Sequence, residues 1–352
     1  MNVIVAESAS ACFDPPSTGA SAPAWVVSDG IAGNERQALA LARALDLQPQ
    51  VLRIDLRAPW SWFAPRLTLA ASLALCAPMR SRMHAPWPAL AIGCGRQSAL
   101  VTRLLRSASA GKTFTVQILD PRIDPGRFDV VVTPGHDGLR GENVIQTVGA
   151  LNGVDTAWLA EGLAQFPFLW QLPQPRTAVL LGGPRRGLAL DGAWVDTLLT
   201  RVATLTQRDG GSVMIACSRR TPDAWRARVR GTLAAGCMHY WIDERDGRNP
   251  YQGYLAAADR IVVTPDSVNM LSEACATGKP VLTLLPPDAG GKLARFHAAL
   301  AGAGRVHALE DNVDISTLSA VAPLRELNDV ATQIRARLQS KHADRASIAA
   351  ET

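Results

Sequence analysis

Short runs of apolar, β-branched residues alternate along this chain with longer stretches in which apolar residues recur at helical spacing. In the first half this pattern predicts six strands and two clear helices. The strands are predicted at residues 24–28, 51–56, 89–92, 113–119, 130–133 and 143–147, and the helices at 34–45 and 96–105. The alternation is typical of parallel sheets joined by crossover helices.

The same alternation restarts after Phe166-Pro167 and the Pro173-Gln174-Pro175 segment. It predicts strands at 177–181, 212–217, 239–242, 260–264 and 281–285, and helices near 193–206, 222–234, 267–277, 293–301 and 330–340. We therefore predict a disordered leader at 1–23, α/β domains at 24–170 and 171–320, and a C-terminal helix and tail at 321–352. Two doubly wound domains leave a cleft between the carboxyl ends of their sheets, where ligands of such folds bind.

Composition narrows the class of protein. Of 352 residues, 47% are hydrophobic and 19% are charged, which excludes disordered, collagen-like and coiled-coil chains. The net charge of +5, from 36 basic and 31 acidic residues, comes without the basic block of a nucleic-acid-binding tail. Anionic small molecules or lipid headgroups are therefore better partners than nucleic acid.

Almost all of the positive charge is guanidinium, because only four of the basic residues are lysine. Guanidinium suits phosphate binding, although a GC-rich genome produces the same bias. The six cysteines lie far apart and without C-x-x-C spacing, so they indicate reduced core residues of a cytoplasmic protein.

The most apolar stretch, residues 67–78, is too short to span a membrane. Trp60, Trp62 and Phe63 precede it, and Arg66 and Arg80 bracket it. It predicts an apolar helix that either lies in a bilayer interface or packs in the core or between the domains. We keep both interpretations open.

The stretch from Asp266 to Pro280 follows a predicted strand, begins a helix at Asp266-Ser267 and ends that helix at Gly278. A helix start at the carboxyl end of a strand presents free N–H groups and a positive dipole end, which favour a pyrophosphate. Glu273, within two turns of that start, is placed to accept hydrogen bonds from a ribose diol. An ordinary crossover helix with a water-facing glutamate is the alternative.

Two arginine pairs follow strands of the second half. Gly182-Gly183-Pro184-Arg185-Arg186 comes after the first strand and Ser218-Arg219-Arg220 after the second. Glycines let the backbone approach a ligand closely, and arginines can neutralise a diphosphate. A plain glycine turn with solvated arginines is the alternative.

Taken together, these motifs resemble a known family, the plant mitochondrial-fission family named for its elongated-mitochondria mutant, whose bacterial relatives are grouped with glycosyltransferases. The resemblance covers about 25–303. The matching residues are Ser28-Asp29-Gly30 with 33–37, 93–96, Gln117 with 120–122, Pro134 with His136-Asp137, 143–149, Gly182-Gly183 and 266–280.

The resemblance implies a GT-B-like α/β fold of two doubly wound Rossmann-like domains that face an inter-domain cleft, with a nucleotide sugar bound in the C-terminal half. The residues expected to bind it are Gly182, Gly183, Arg185, Ser218, Arg219, Asp266, Ser267 and Glu273. No cofactor or metal ion is expected, because the chain lacks the Asp-x-Asp motif that holds a metal-bound diphosphate in the other large glycosyltransferase fold.

Sugar transfer with inversion needs a base for the acceptor hydroxyl and a positive environment for the leaving diphosphate. Glu35, Asp29 and His136 are the candidate bases, although helix capping accounts equally well for the two carboxylates and a loop turn for the histidine. The expected acceptor is a cell-envelope or lipid-linked sugar that reaches the N-terminal domain through residues 60–80. Attachment to the inner face of the cytoplasmic membrane stays open.

The resemblance leaves two alternatives to glycosyl transfer. Because the plant member is discussed as a recruiter of a dynamin-related protein, the chain could instead be a non-catalytic membrane or protein adaptor. A nucleotide-sugar epimerase is the third interpretation, since such epimerases share the GT-B architecture.

Overall fold

The computed structural model describes residues 24–232, 238–318 and 321–350. The predicted leader at 1–23, Cys12 and Cys237 lie outside these residues. Cys94, Cys217 and Cys275 are buried thiols, and Cys76 is partly buried.

The first sheet consists of six parallel strands in the order β2-β1-β3-β4-β5-β6. The strands are β1 (Ala24–Ser28), β2 (Gln50–Arg53), β3 (Leu90–Cys94), β4 (Phe114–Ile118), β5 (Val130–Pro134) and β6 (Val144–Thr147). The helices of this half are α1 (Ala32–Ala44), α2 (Trp60–Phe63), α3 (Ala77–Arg80) and α4 (Arg96–Ala108). Since successive side chains of a strand point to opposite faces, Val26 packs in one core with Leu41 of α1, while Val27 packs in another with Leu100 of α4.

After α5 (Thr156–Gln165), a second sheet of six parallel strands has the order β12-β11-β10-β7-β8-β9. The strands are β7 (Arg176–Leu181), β8 (Ser212–Cys217), β9 (Met238–Trp241), β10 (Arg260–Val263), β11 (Val281–Thr283) and β12 (His307–Ala308). The helices are α6 (Gly192–Asp209), α7 (Asp223–Thr232), α8 (Tyr251–Ala257), α9 (Val268–Cys275) and α10 (Gly291–Gly302). This order is the Rossmann arrangement, and the prediction of two doubly wound α/β halves is confirmed.

The last helix, α11 (Leu327–Ala350), returns to the first half of the molecule. Val330, Ala331 and Ile334 are buried in the core that contains α1. The Arg335 guanidinium pairs with Asp46 at 2.6 Å, and the Lys341 ammonium lies 2.6 Å from Asp129. The strand β1 and the helix α11 therefore belong to the same half, although they are far apart in sequence, which the sequence did not predict.

The prediction of a helix over residues 67–78 is wrong. The structure has a single 3₁₀ turn at Ala71–Ala74 and the short helix α3 there. Ala70 adopts the left-handed conformation with φ of 50°, and Leu75 and Cys76 are extended, so no continuous helix can pass through the segment.

Within the described residues, no helix has the length and apolarity that crossing a bilayer requires.

Candidate functional site

Each sheet has a switch point, where strand order reverses and a crevice opens at the carboxyl ends of two neighbouring strands. In the second sheet the switch point lies between β7 and β10. The Gly182 amide donates to Thr264 Oγ1 at 2.7 Å, and the Gly183 amide donates to Asp266 Oδ2 at 3.1 Å. A Cβ at Gly182 would lie 2.2 Å from Asp266 Oδ1, and one at Gly183 2.1 Å from the Arg220 carbonyl oxygen. The loops pack too closely for any other residue.

The Asp266 carboxylate is completely buried at this junction. It accepts hydrogen bonds from the Gly183 amide, from Thr264 Oγ1 at 2.7 Å and from Arg220 Nη2 at 2.7 Å. Asp266 thus acts as an internal anion that ties three loops together, and its partner is Arg220 rather than Arg219. The carboxylate could reach a ligand only by giving up these bonds.

The remaining predicted phosphate contacts surround this junction. Arg185 Nη1 donates to the Asp266 carbonyl oxygen at 2.7 Å, and Ser218 Oγ donates to the Gly182 carbonyl oxygen at 3.1 Å. Ser267 Oγ caps α9 by accepting from the Met270 amide at 3.4 Å. Arg219 is exposed and makes no hydrogen bond or ion pair with the described residues. Arg185, Arg186 and Arg219 are all exposed, so an incoming anion could meet any of them.

Glu273 lies one to two turns into α9, and its side chain is 11% exposed. The Tyr251 hydroxyl donates to Glu273 Oε2, and Arg36 Nη1 of the first half lies 3.7 Å from Oε1. Burial and the neighbouring Glu273 raise the pKa of Tyr251 well above its usual value, so the phenol stays a donor. Glu273 faces the cleft as a carboxylate held by one donor and a looser ion pair.

An open pocket of about 120 Å³ lies beside Glu273, between the two halves. Its lining includes Arg36, Gln37, Trp158, Asn269 and Glu273. Gln37 Nε2 donates to Asn269 Oδ1 at 3.3 Å across the boundary between the halves. This volume of about 120 Å³ is smaller than the roughly 300–1,000 Å³ of typical small-molecule sites, so the pocket holds only part of a larger ligand.

The switch point of the first sheet lies between β1 and β3 and holds Asp29 and Glu35. Asp29 accepts from the Ile31 amide at 3.1 Å and from Asn34 Nδ2 at 3.2 Å. Glu35 accepts from Ser28 Oγ at 2.5 Å and lies 3.5 Å from Arg53. Both carboxylates already accept hydrogen bonds in and beside the loop before α1. Neither caps the helix, because Ile31 occupies the N-cap and α1 has no side-chain cap, so the capping interpretation is wrong.

His136 follows β5 and meets α10 of the second half. Its ring lies 5.0 Å from the Phe296 ring, and Arg295 Nε donates to its carbonyl oxygen at 3.1 Å. Burial lowers the pKa of His136, and the cations Lys292, Arg295 and Arg185 lower it further against the opposing Asp137. Its Nδ1 is buried and has no hydrogen-bond partner among the described residues. The lowered pKa favours the neutral imidazole.

Lys292 is a contact between the halves that the sequence analysis missed. Its ammonium lies 2.9 Å from Asp137 and 3.2 Å from Asp120, both of the first half. Trp158, Arg36 and Arg220 were missed as well. Arg36 and Arg220 lie within the motifs described above, but the spacing of residues does not show which of two adjacent side chains points inward.

In the described part of the chain, no three His, Cys, Asp or Glu side chains are grouped so as to hold a metal ion.

Comparison with known structures identifies the fold. The UDP-GlcNAc 2-epimerase from Methanocaldococcus jannaschii superimposes with a TM-score of 0.53 at 11% identity, over 89% of this chain and 99% of that one. At this identity the likeness concerns the fold alone, which is GT-B-like, as predicted.

Sequence comparison identifies relatives. The mitochondrial fission protein ELM1 of Arabidopsis thaliana is 32% identical over 282 residues, which cover 72% of this chain and 65% of that protein. The chain thus spans just under two thirds of that relative. An uncharacterized protein of Rickettsia prowazekii (strain Madrid E) is 24% identical over 303 residues, or 75% of this chain and 83% of that protein. The family described as mitochondrial fission ELM1 matches residues 32–338. The chain, as its motifs indicated, belongs to the mitochondrial fission ELM1 family.

Proposed function

We propose that this protein is a metal-independent glycosyltransferase that binds a nucleotide sugar in the cleft and transfers the sugar to an acceptor held by the N-terminal half. The observation that carries the proposal is the position of α9. Asp266, just before this helix, contacts the glycine loop after β7, and Glu273 within the helix lines the pocket between the halves. One short helix would therefore bring a binding place for phosphates next to a carboxylate suited to a ribose.

The ribose hydroxyls would donate to Glu273. Its ion pair with Arg36, at 3.7 Å, is long enough for a ligand to replace without large rearrangement. The diphosphate would lie against Arg185, Arg219 and the free amides at the start of α9, which supply positive charge where other enzymes use a cation. Asp266 would keep the glycine loop in shape.

The acceptor would be a cell-envelope or lipid-linked sugar. Of the three candidate bases, His136 suits proton abstraction best, because its imidazole is neutral and Nδ1 is unpartnered, whereas Asp29 and Glu35 already accept hydrogen bonds.

Isothermal titration with UDP-, GDP-, ADP- and CMP-sugars, with and without EDTA, tests the proposal. We expect one class of nucleotide sugar to bind equally with EDTA present, and Glu273→Gln to weaken binding about tenfold or more, as expected for lost hydrogen bonds to a charged group. Glu244→Gln, at an exposed glutamate, is the matched control. If no nucleotide sugar releases heat, the proposal fails.

The fold likeness to a UDP-GlcNAc 2-epimerase favours one other candidate, a nucleotide-sugar epimerase. An epimerase would convert the nucleotide sugar without any acceptor, and NMR of the sugar ring detects that conversion. An adaptor, in contrast, would leave every nucleotide sugar unbound and unchanged.

A further inference from the structure

Residues 62–73 expose an unusual amount of apolar surface. The large apolar side chains exposed there, with their exposed fractions, are Trp62 (70%), Phe63 (59%), Leu69 (81%) and Leu73 (50%). We call these four side chains the 62–73 surface. Single exposed apolar residues are normal, but four within twelve residues form a patch of the kind that marks a binding surface.

Side-chain hydrogen bonds hold the backbone of the 62–73 surface. Trp60 Nε1 donates to the Leu69 carbonyl oxygen at 2.9 Å, which joins α2 to the following loop. Arg96 Nη1 donates to the Trp62 carbonyl oxygen at 2.7 Å, and Arg80 Nε donates to that of Ser72 at 3.0 Å. These arginines bind backbone carbonyls, so the exposed side chains are presented by an ordered platform.

The segment of chain that carries this surface has charge of one sign. Residues 56–119 contain eight basic residues and no acidic one, whereas the rest of the chain contains 28 basic and 31 acidic residues. Arg57 and Arg66 are exposed beside the apolar side chains, and neither forms an ion pair with a described residue. The surface is therefore complementary to a negatively charged partner that also has an apolar interior.

The 62–73 surface also adjoins the cleft. Arg96, which holds Trp62, starts α4 directly after β3, and Arg66 Nη2 donates to the Arg122 carbonyl oxygen at 3.4 Å, just beyond β4. The carboxyl ends of β3 and β4 belong to the edge of the sheet that faces the cleft.

We infer that the 62–73 surface docks on a bilayer that contains anionic phospholipids. Trp62, Phe63, Leu69 and Leu73 enter the headgroup and upper acyl region, while Arg57 and Arg66 meet lipid phosphates. The cleft then opens close to the bilayer. The inference stands independently of sugar transfer, because it needs no nucleotide.

Cosedimentation of the full chain with sucrose-loaded vesicles tests it. We expect binding to vesicles of phosphatidylcholine and phosphatidylglycerol in a ratio of roughly 70:30, which gives the vesicle surface a substantial negative charge. We expect little binding to vesicles of phosphatidylcholine alone, or to the mixed vesicles in high salt. The double variant Trp62→Ser with Leu69→Ser should lose about tenfold or more in partitioning. Arg57→Glu with Arg66→Glu should lose a similar factor, since each basic residue near an anionic surface contributes about fivefold.

The matched control is Trp170→Ser with Phe168→Ser, which removes a tryptophan and a second exposed apolar residue outside the 62–73 surface. This control should bind vesicles as the unchanged chain does. Absence of binding to anionic vesicles, or equal binding by the 62–73 variant, overturns the inference. A chain that is dimeric in solution and becomes monomeric in the 62–73 variant also overturns it, since a second copy would then cover the surface. Titration of the same variants with nucleotide sugars reports separately on the proposed function.

Discussion

Arg219 and Arg220 are neighbours in the chain but have different surroundings, so alanine substitutions should separate stability from ligand binding. Arg220 pairs with the fully buried Asp266 carboxylate at 2.7 Å, and its own side chain is 53% exposed. Arg219 has no partner among the described residues. Arg220→Ala removes a hydrogen bond between charged groups and leaves Asp266 with two neutral donors.

A charge-assisted hydrogen bond of this kind contributes roughly 1.5–3 kcal/mol, and solvent around Arg220 reduces that value, so we expect a loss of about 2 kcal/mol. The midpoint of thermal unfolding should fall by roughly 4–8 °C. Arg219→Ala should leave the midpoint within about 1 °C, since a substitution at an unpartnered surface side chain changes stability little. It should instead weaken nucleotide-sugar binding by about tenfold, the effect of one lost contact to a diphosphate.

Scanning calorimetry and titration of both variants at pH 7.5 provide the measurement, with Arg220→Lys as a control that keeps the charge but loses the planar geometry. The reasoning is refuted if the unfolding midpoint of Arg220→Ala equals that of the unchanged chain, or if the midpoint of Arg219→Ala lies below that of Arg220→Ala.

Three further predictions follow from packing and charge. Gly183→Ala should destabilise the fold by about 2 kcal/mol in urea unfolding and abolish nucleotide binding, because its Cβ would meet the backbone oxygen of Arg220 at 2.1 Å; Gly302→Ala, with open space around it, is the control, and equal stability of the two variants would contradict the close approach. Ile334→Ala, at a fully buried site of α11, should cost about 2–5 kcal/mol in urea unfolding, and a smaller loss than 1 kcal/mol would mean that α11 does not complete the first core. Burial lowers the pKa of His297, so the folded protein disfavours the protonated imidazole. The contribution of His297 to stability is therefore complete above the ordinary histidine pKa of about 6.5 and is lost as the pH falls toward the lowered pKa of the folded state. His297→Gln, which can keep the hydrogen bond to the Pro265 carbonyl, should flatten the fall in unfolding midpoint between about pH 7 and 5, and an unchanged slope would contradict this assignment.

The sheets could be predicted from the sequence because their strands are buried on both faces and appear as continuous β-branched runs, such as Ala24–Ser28 and Val130–Pro134. β12 escaped prediction because two residues leave no pattern. The stretch 67–78 misled because its composition suits a helix, while the left-handed Ala70 depends on how neighbouring loops pack.

The candidate site was predictable only in part. Glycine positions and the start of α9 could be recognised, since close approach and capping constrain residue type locally. The pairing of Asp266 with Arg220 and the contact of Lys292 with Asp137 could not, because each depends on the final position of separate loops or halves.

The return of α11 to the first sheet changes how the molecule can be divided. Because β1 and α11 belong to the same half, the segment from about 150 to 326 is an insertion that interrupts this half in the sequence. A fragment that stops after α5 would therefore lack the part of its hydrophobic core that α11 supplies. The inserted segment, in contrast, could be exchanged as one piece for the corresponding segment of another family member. Chimaeras joined at these two crossings would test which half determines the ligand binding proposed above.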